Sequence, residues 1–223
     1  MFYQVSLDNR EFSAGAFYDG VNWGSLNDIV ENFRRRVTWW YLEPAELLQK
    51  AGEQHAFPVM ALSCILLDSM SQFYFGTNTS SRGNFINFVR MWLPEFAVNL
   101  PAPIQHKIDP SPNAPQILVD YAEVLYFAFR CGILHDAHVT PYGMVRGGLQ
   151  IITFSPNGFT SYVAGGDCPT VLVDPWRILD RVRDVFNAYL NRILDPNLAN
   201  DILRTQFKFK FSESFGVDVT GAT

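Results

Sequence analysis

The side chains best suited to chemistry lie in a short polar cluster that follows an apolar segment. The cluster contains Arg130, Cys131, His135, Asp136 and His138. The imidazole of a histidine can transfer protons near neutral pH, and the planar guanidinium of an arginine can hold two phosphate oxygens while keeping its charge. These two residue types could cleave RNA without a metal, because the reaction needs a base for the 2′-hydroxyl and a cation for the developing phosphate charge.

The spacing of Arg130 and His135 sets a geometric condition on this chemistry. Five residues of a regular α-helix turn through about 500°, which leaves the two side chains about 140° apart. The long arginine side chain, or a distortion of the helix at Gly132, would be needed to bring the pair together. Cys131 and His135 do share a helical face, so a cysteine–histidine nucleophile pair is an alternative.

A structural interpretation of the cluster competes with the catalytic one. Arg130 could pair with Asp136, Asp68 or Glu123, while His135 satisfies a backbone group near the end of the helix. A cation in the last turn of a helix is favourable in itself.

A metal site is a further alternative, built on His135, Asp136 and His138. These ligands are few, and no other histidine or cysteine cluster joins them. The sequence therefore predicts neither a metal nor a cofactor.

The elements that must position the cluster are helical. Before Arg130, apolar residues recur at three- and four-residue steps, at Ile117, Tyr121, Val124, Leu125, Ala128 and Phe129. Two earlier segments, 61–76 and 84–93, predict further helices that would cover this one.

The segment 130–135 has the form R-x4-H and closes an apolar helix. With the earlier helices it resembles the HEPN superfamily (higher eukaryotes and prokaryotes nucleotide-binding), and residues 57–135 resemble the four-helix core of an uncharacterised bacterial branch. The resemblance implies a helical bundle and a metal-independent endoribonuclease of a defence or toxin system. Arg130 would bind and stabilise phosphate, His135 would transfer the proton, and Asp136 or Asp68 would tune His135.

The same resemblance implies a homodimer in which two motifs face each other across a shared cleft, with RNA as substrate and a cognate antitoxin as partner. The residue after the arginine is often a polar Asn or Asp in that family. Here it is Cys131, which departs from the family pattern.

The amino-acid composition limits the number of domains and the functions that are expected. The 223 residues are 48% hydrophobic and carry a net charge of −5, which predicts one folded domain over 1–223 and argues against a broad nucleic-acid surface. This balance favours the alternative function, a non-catalytic dimeric module that binds a nucleotide, RNA or a protein partner. Three cysteines without framework spacing predict a cytoplasmic protein, and no segment predicts a membrane span.

The remaining patterns predict a mainly helical fold with a small antiparallel β-hairpin inserted near 149–173. Helices are expected over 25–40, 44–50, 174–194 and 195–211. Ser25 and Asp174 are the expected N-caps of the first and third of these, Gly76 is the expected left-handed C-cap of the helix over 61–76, and Trp40 falls in the buried stripe of the first helix. Strands over 149–155 and 159–164 would flank the turn Pro156-Asn157-Gly158, and 168–173 would add a third strand. The proline-rich stretch 99–115 predicts an unstructured connection, and the tail from Gly216 is expected to fray.

Overall fold

Helices dominate the computed structural model, which describes residues 11–13, 15–106, 116–136, 160–163 and 170–223. The predicted mainly helical fold with small antiparallel strand pairs is confirmed. The longer helices are α1 (Leu26–Val37), α2 (Glu43–Ala51), α3 (Ala56–Phe75), α4 (Arg82–Trp92), α7 (Pro175–Leu194) and α8 (Asp201–Phe215). Two short helices, α5 (Tyr121–Val124) and α6 (Gly132–Asp136), flank a π-helical turn, Leu125–Cys131.

Helix α3 is the centre of the fold and packs against α2, α4, α7 and α8. The segment Glu53–Phe75 is long and apolar enough to cross a membrane by length and composition alone. Here 61% of its apolar window is buried inside the fold, and Val59 and Leu67 are fully buried. The helix ends at Gly76, whose φ of 59° makes the predicted left-handed cap.

An aromatic cluster joins the helices around Phe33 of α1. The Phe33 ring lies 4.8 Å from the ring of Phe73 on α3, centroid to centroid. Four more rings surround it at 5.8 to 6.0 Å, those of Phe186, Phe207, Phe211 and Phe215. Aromatic pairs at these distances add to the energy of burial, so α1, α3, α7 and α8 are held in one core.

Helices α1 and α2 are nearly continuous, because a π-helical turn at Thr38–Leu42 joins them. Ser25 caps α1 as predicted, with its Oγ accepting from the Asp28 amide at 3.3 Å. Trp40, which the sequence places in the buried stripe, is 37% exposed. The wider turn changes the phase of the helix, so Leu42 is buried in place of Trp40.

Helix α7 has the predicted bounds. Asp174 precedes it and accepts from the Trp176 amide at 2.9 Å, next to the proline that opens the helix. Helix α8 begins at Asp201 rather than at 195, because Leu198–Asn200 first forms a 3-10 turn.

The first half of the proline-rich stretch is a strand, so the prediction of an unstructured connection is wrong there. Strand β3 (Asn99–His106) pairs antiparallel with β4 (Gln116–Asp120). The register shifts between Asn99 and Ile104, the interval that contains Pro101 and Pro103. Proline has no amide hydrogen to donate, so it is tolerated where the ladder is interrupted. Residues 107–115 lie outside the described part of the chain.

The structure describes only part of the region in which the hairpin insertion is predicted. Strand β5 (Thr160–Val163) pairs antiparallel with β6 (Thr170–Val173), the expected second and third strands. The expected first strand, 149–155, and its turn lie outside the described residues. Near the start of the description, β1 (Glu11–Ser13) pairs with β2 (Ala16–Phe17).

The tail beyond Gly216 is packed, and the prediction that it frays is wrong. Val219 and Ala222 are 1% and 2% exposed. The Thr223 carbonyl accepts from the Leu26 amide at 3.0 Å, and the Thr223 amide donates to the Gly24 carbonyl at 3.1 Å. The tail therefore supplies an acceptor to the first turn of α1, whose amides have no partner within the helix.

Candidate active site

Arg130 and His135 lie on two consecutive helical segments. Helix α5 widens at Leu125 into the π-helical turn, which contains Arg130 and ends at Cys131, and α6 follows from Gly132 and contains His135. Arg130 Nη1 lies 3.0 Å from His135 Nε2. The ends of the two side chains are therefore in contact, although five residues separate them in the sequence.

The chemistry of the two groups determines the direction of this hydrogen bond. A guanidinium can only donate, so the bond requires His135 Nε2 to accept, with the ring proton on Nδ1. His135 is exposed. The arrangement thus places an imidazole nitrogen at the surface, in contact with a cation.

Asp68 of α3 lies on the other side of the guanidinium and is 8% exposed. Its Oδ2 is 3.4 Å from Arg130 Nη2 and accepts from Gln72 Nε2 at 3.2 Å. Its Oδ1 accepts from Ser80 Oγ at 2.6 Å, and Ser80 Oγ accepts from Arg130 Nη2 at 3.0 Å. The positive charge of Arg130 is therefore balanced by a carboxylate that is itself shared among three donors.

The balance of forces keeps Arg130 charged. Burial opposes its positive charge, but the Asp68 carboxylate and Cys131 outweigh that effect, so the pKa of Arg130 is raised. The side chain is 12% exposed, and its Nε is buried without a hydrogen-bond partner among the described residues. Nη1 is the nitrogen of the guanidinium that contacts His135.

The two cysteines near this site differ in environment. Cys131 is half-buried, and burial together with Cys131 raises the pKa of Tyr126. Cys64 of α3 is fully buried, and burial raises the pKa of its thiol, which makes it an unreactive core residue. In the described part of the chain no hydrogen bond joins Cys131 to His135, so the geometry does not assemble the cysteine–histidine alternative.

Four of the residues singled out from the sequence come together, namely Arg130, His135, Asp68 and Cys131. Asp68 contacts Arg130 and not His135, so its influence on the imidazole passes through the guanidinium. The pairing of Arg130 with an acid, expected under the structural interpretation, is present in the form of Asp68. The contact between Arg130 and His135, which the catalytic interpretation needs, is present as well.

The other residues singled out do not join this cluster. Glu123 lies 3.3 Å from Arg90, which also contacts Asp120 at 2.6 Å, so Glu123 serves another ion pair. Asp136 ends α6, but its side chain and the whole of His138 lie outside the described residues. Within the described ranges no group of three histidine, cysteine, aspartate or glutamate residues could hold a metal ion.

Sequence analysis missed Ser80 and Gln72. Gln72 follows Asp68 by four residues on one helix, a spacing that places both on the same face and could have indicated their contact. Ser80 lies in the loop between Gly76, which ends α3, and Ser81, which caps α4 by accepting from the Asn84 amide at 3.1 Å. That loop is brought beside Arg130 only by tertiary packing, and no local signal marks it.

A second arginine lies beside the same π-helical turn. The Arg82 guanidinium stacks over the Phe127 ring, with its Cζ 4.8 Å from the centroid. Arg82 is exposed and makes no ion pair with a carboxylate in the described part of the chain. This end of the fold therefore presents a solvated cation close to the Arg130–His135 pair.

The chain matches no protein-family model, no curated protein and no solved structure.

Proposed function

We propose that this chain is a metal-independent endoribonuclease of the HEPN type, with Arg130 and His135 as its catalytic residues. The observation that carries the proposal is the 3.0 Å contact between Arg130 Nη1 and the Nε2 of an exposed His135. Neutral imidazole is the form that a general base requires, and the guanidinium is the group that stabilises phosphate charge.

The hydrogen-bond pattern supports a definite sequence of events. A phosphate oxygen of the substrate accepts from Arg130 Nη1, which releases the lone pair of His135 Nε2. The released nitrogen takes the proton of the neighbouring 2′-hydroxyl, whose oxygen attacks phosphorus. The bond between phosphorus and the 5′-oxygen of the next nucleotide breaks, that oxygen takes a proton from water, and His135 returns its own proton to the solvent. The products are a 2′,3′-cyclic phosphate and a free 5′-hydroxyl.

The proposal is tested by RNA cleavage in EDTA. We expect the wild-type chain to cleave total RNA, and His135→Ala to lose about 10²- to 10⁴-fold in rate, the range of a general base. Arg130→Lys keeps the charge but loses the planar fork, so we expect a large loss there too. His55→Ala, at a half-buried histidine in a separate 3-10 turn, is the matched control and should retain activity. An inert wild type, or cleavage that survives His135→Ala, would refute the proposal.

The resemblance to the HEPN superfamily adds a homodimer and a cognate antitoxin to this proposal. Two copies would bring two Arg130–His135 pairs to one cleft, where Arg82 could extend the contact with RNA. Sedimentation analysis measures the dimer directly.

A second candidate function is a non-catalytic dimeric module that binds a nucleotide, RNA or a protein partner through the same surface. The observation that favours it is the ion pair between Arg130 and Asp68, which offsets the charge a phosphate would need. Under this function RNA binds but stays intact, so a binding assay beside the cleavage assay separates the two.

A further inference from the structure

We propose that Ser80 is a positioning residue that keeps Arg130 directed at His135 by preventing a two-point ion pair between Arg130 and Asp68. The inference deepens the proposed function and rests on it for the consequence in catalysis. Its structural part rests on the contacts among Ser80, Arg130, Asp68 and His135.

The contact between Arg130 and Asp68 is weaker than its residue types allow. A guanidinium and a carboxylate prefer two parallel hydrogen bonds of about 2.8 Å. Here one nitrogen, Nη2, lies 3.4 Å from one oxygen, Oδ2. The Nε of the same guanidinium is buried and has no hydrogen-bond partner among the described residues. Arg130 and Asp68 therefore do not form the two-point ion pair that their residue types allow.

Ser80 explains why the two-point ion pair between Arg130 and Asp68 is absent. Its hydroxyl donates to Asp68 Oδ1 at 2.6 Å, so that oxygen is already occupied. The same hydroxyl accepts from Arg130 Nη2 at 3.0 Å, which is closer than the carboxylate. Gln72 donates to the other oxygen at 3.2 Å. The carboxylate is thus held by neutral donors, and the guanidinium plane is held by Ser80 at one end and His135 at the other.

Removal of the Ser80 hydroxyl should reverse this preference. Asp68 Oδ1 would lose its donor, and a buried carboxylate oxygen without a partner is costly. The nearest donor is the Arg130 guanidinium, which would move towards Asp68 and form the two-point ion pair. Because the plane would shift towards Asp68, Nη1 would leave His135 and the imidazole lone pair would become free.

Carbethoxylation of His135 by diethyl pyrocarbonate measures that lone pair without any need for RNA cleavage. The reagent attacks an unprotonated imidazole nitrogen, and mass spectrometry of the modified peptide assigns the site. In Ser80→Ala we expect His135 to react about three- to tenfold faster than in the wild type, as for the loss of one hydrogen bond. Arg130→Ala sets the upper limit. Ser80→Thr keeps the hydroxyl and should restore the slow rate, and Thr79→Ala, an exposed neighbour in the same loop, should leave it unchanged.

The activity measurement completes the test. Because Ser80 would act on the orientation of Arg130, we expect Ser80→Ala to lower kcat about tenfold with KM within about twofold, and Ser80→Thr to recover kcat. A wild-type rate of carbethoxylation in Ser80→Ala would overturn the positioning role even if the chain cleaves RNA. A chain that cleaves no RNA would refute the proposed function, while the carbethoxylation rates would still decide the role of Ser80.

Discussion

Asp68 determines how Arg130 presents its charge. A buried arginine without a counter-ion would be costly, and the carboxylate removes that cost. The same carboxylate competes with any phosphate for the guanidinium. Under the proposed function, Arg130 can bind phosphate beside His135 only as long as the Asp68 oxygens remain engaged by Ser80 and Gln72.

Asp174 is a buried carboxylate with an incomplete set of partners among the described residues. Its Oδ1 accepts from the Trp176 and Arg177 amides at the start of α7. Its Oδ2 lies 3.4 Å from Arg177 Nε but makes no hydrogen bond within the described residues. Burial raises the pKa of Asp174 against the opposing effect of those amides and of Arg177.

The first stability prediction concerns Asp174 and pH. A carboxyl whose pKa is raised on folding contributes most below its unfolded pKa and loses that contribution as pH rises through the folded value. Asp174→Asn keeps a cap acceptor without this titration, so its stability relative to the wild type should increase between about pH 3 and pH 7. Asp174→Ala loses the cap and should cost about 1 kcal/mol at neutral pH. Urea denaturation of the three proteins gives these values, and a relative stability of Asp174→Asn that falls with pH would contradict the expectation.

Local chemistry made some single residues predictable and left others undetermined. Ser25, Gly76 and Asp174 act on amides or backbone angles of their own neighbours, and the sequence identifies all three caps correctly. The local sequence could not show which acidic residue pairs with Arg130. Asp68 is 62 positions away, and only the packing of α3 against the π-helical turn selects it over Glu123.

At the scale of elements, sequence periodicity could not predict the π-helical turn. Apolar residues at three- and four-residue steps predict a helix, and a helix is what forms on both sides of Leu125–Cys131. Phe127 and Phe129 are buried within the widened turn, and their apolar spacing is the same signal that a regular helix would give. For the same reason the phase change at Thr38–Leu42, which exposes Trp40, was not predicted.

The loop that carries Ser80 depends on the end of α3. Gly76 has a φ of 59°, and a Cβ at this position would lie 3.2 Å from Cβ and Cγ of Gln206. We expect Gly76→Ala to lower the free energy of unfolding by about 1 to 2 kcal/mol, the cost of a left-handed non-glycine residue. Gly83→Ala in α4 meets nothing within 4 Å and should be neutral or stabilising, so it is the matched control. Equal stability of the two variants in urea denaturation would disprove the role of Gly76.

At the scale of the whole molecule, residues far apart in sequence close the fold. The tail from Gly216 reaches the start of α1, and its buried side chains join the same apolar core as the long helices. Composition predicted a sizeable core, but it did not show that a segment with few apolar residues would be part of it. Strand β3 was missed for a related reason, since its prolines lie where the pairing is interrupted.

The tail supports a prediction about global stability. Deletion of residues 217–223 exposes the cavity filled by Val219, and full burial of such a side chain contributes about 1.5 to 3 kcal/mol. We therefore expect the deletion to lower the free energy of unfolding by at least about 2 kcal/mol, with loss of the bonds to Leu26 and Gly24 included. Gly221→Ala, where a Cβ meets nothing within 4 Å, should leave stability unchanged. An unaltered midpoint of thermal unfolding after the deletion would show that the tail adds nothing.

The π-helical turn at Leu125–Cys131 has a consequence for how this site could be gained or lost. A turn that closes over five residues accommodates one residue more than a turn that closes over four. Loss of a single codon before Arg130 within this turn would restore ordinary helical winding. Arg130 and His135 would then turn together, away from Asp68 and Ser80, with both residues intact. Inheritance of the two side chains is thus not the same as inheritance of the site that surrounds them.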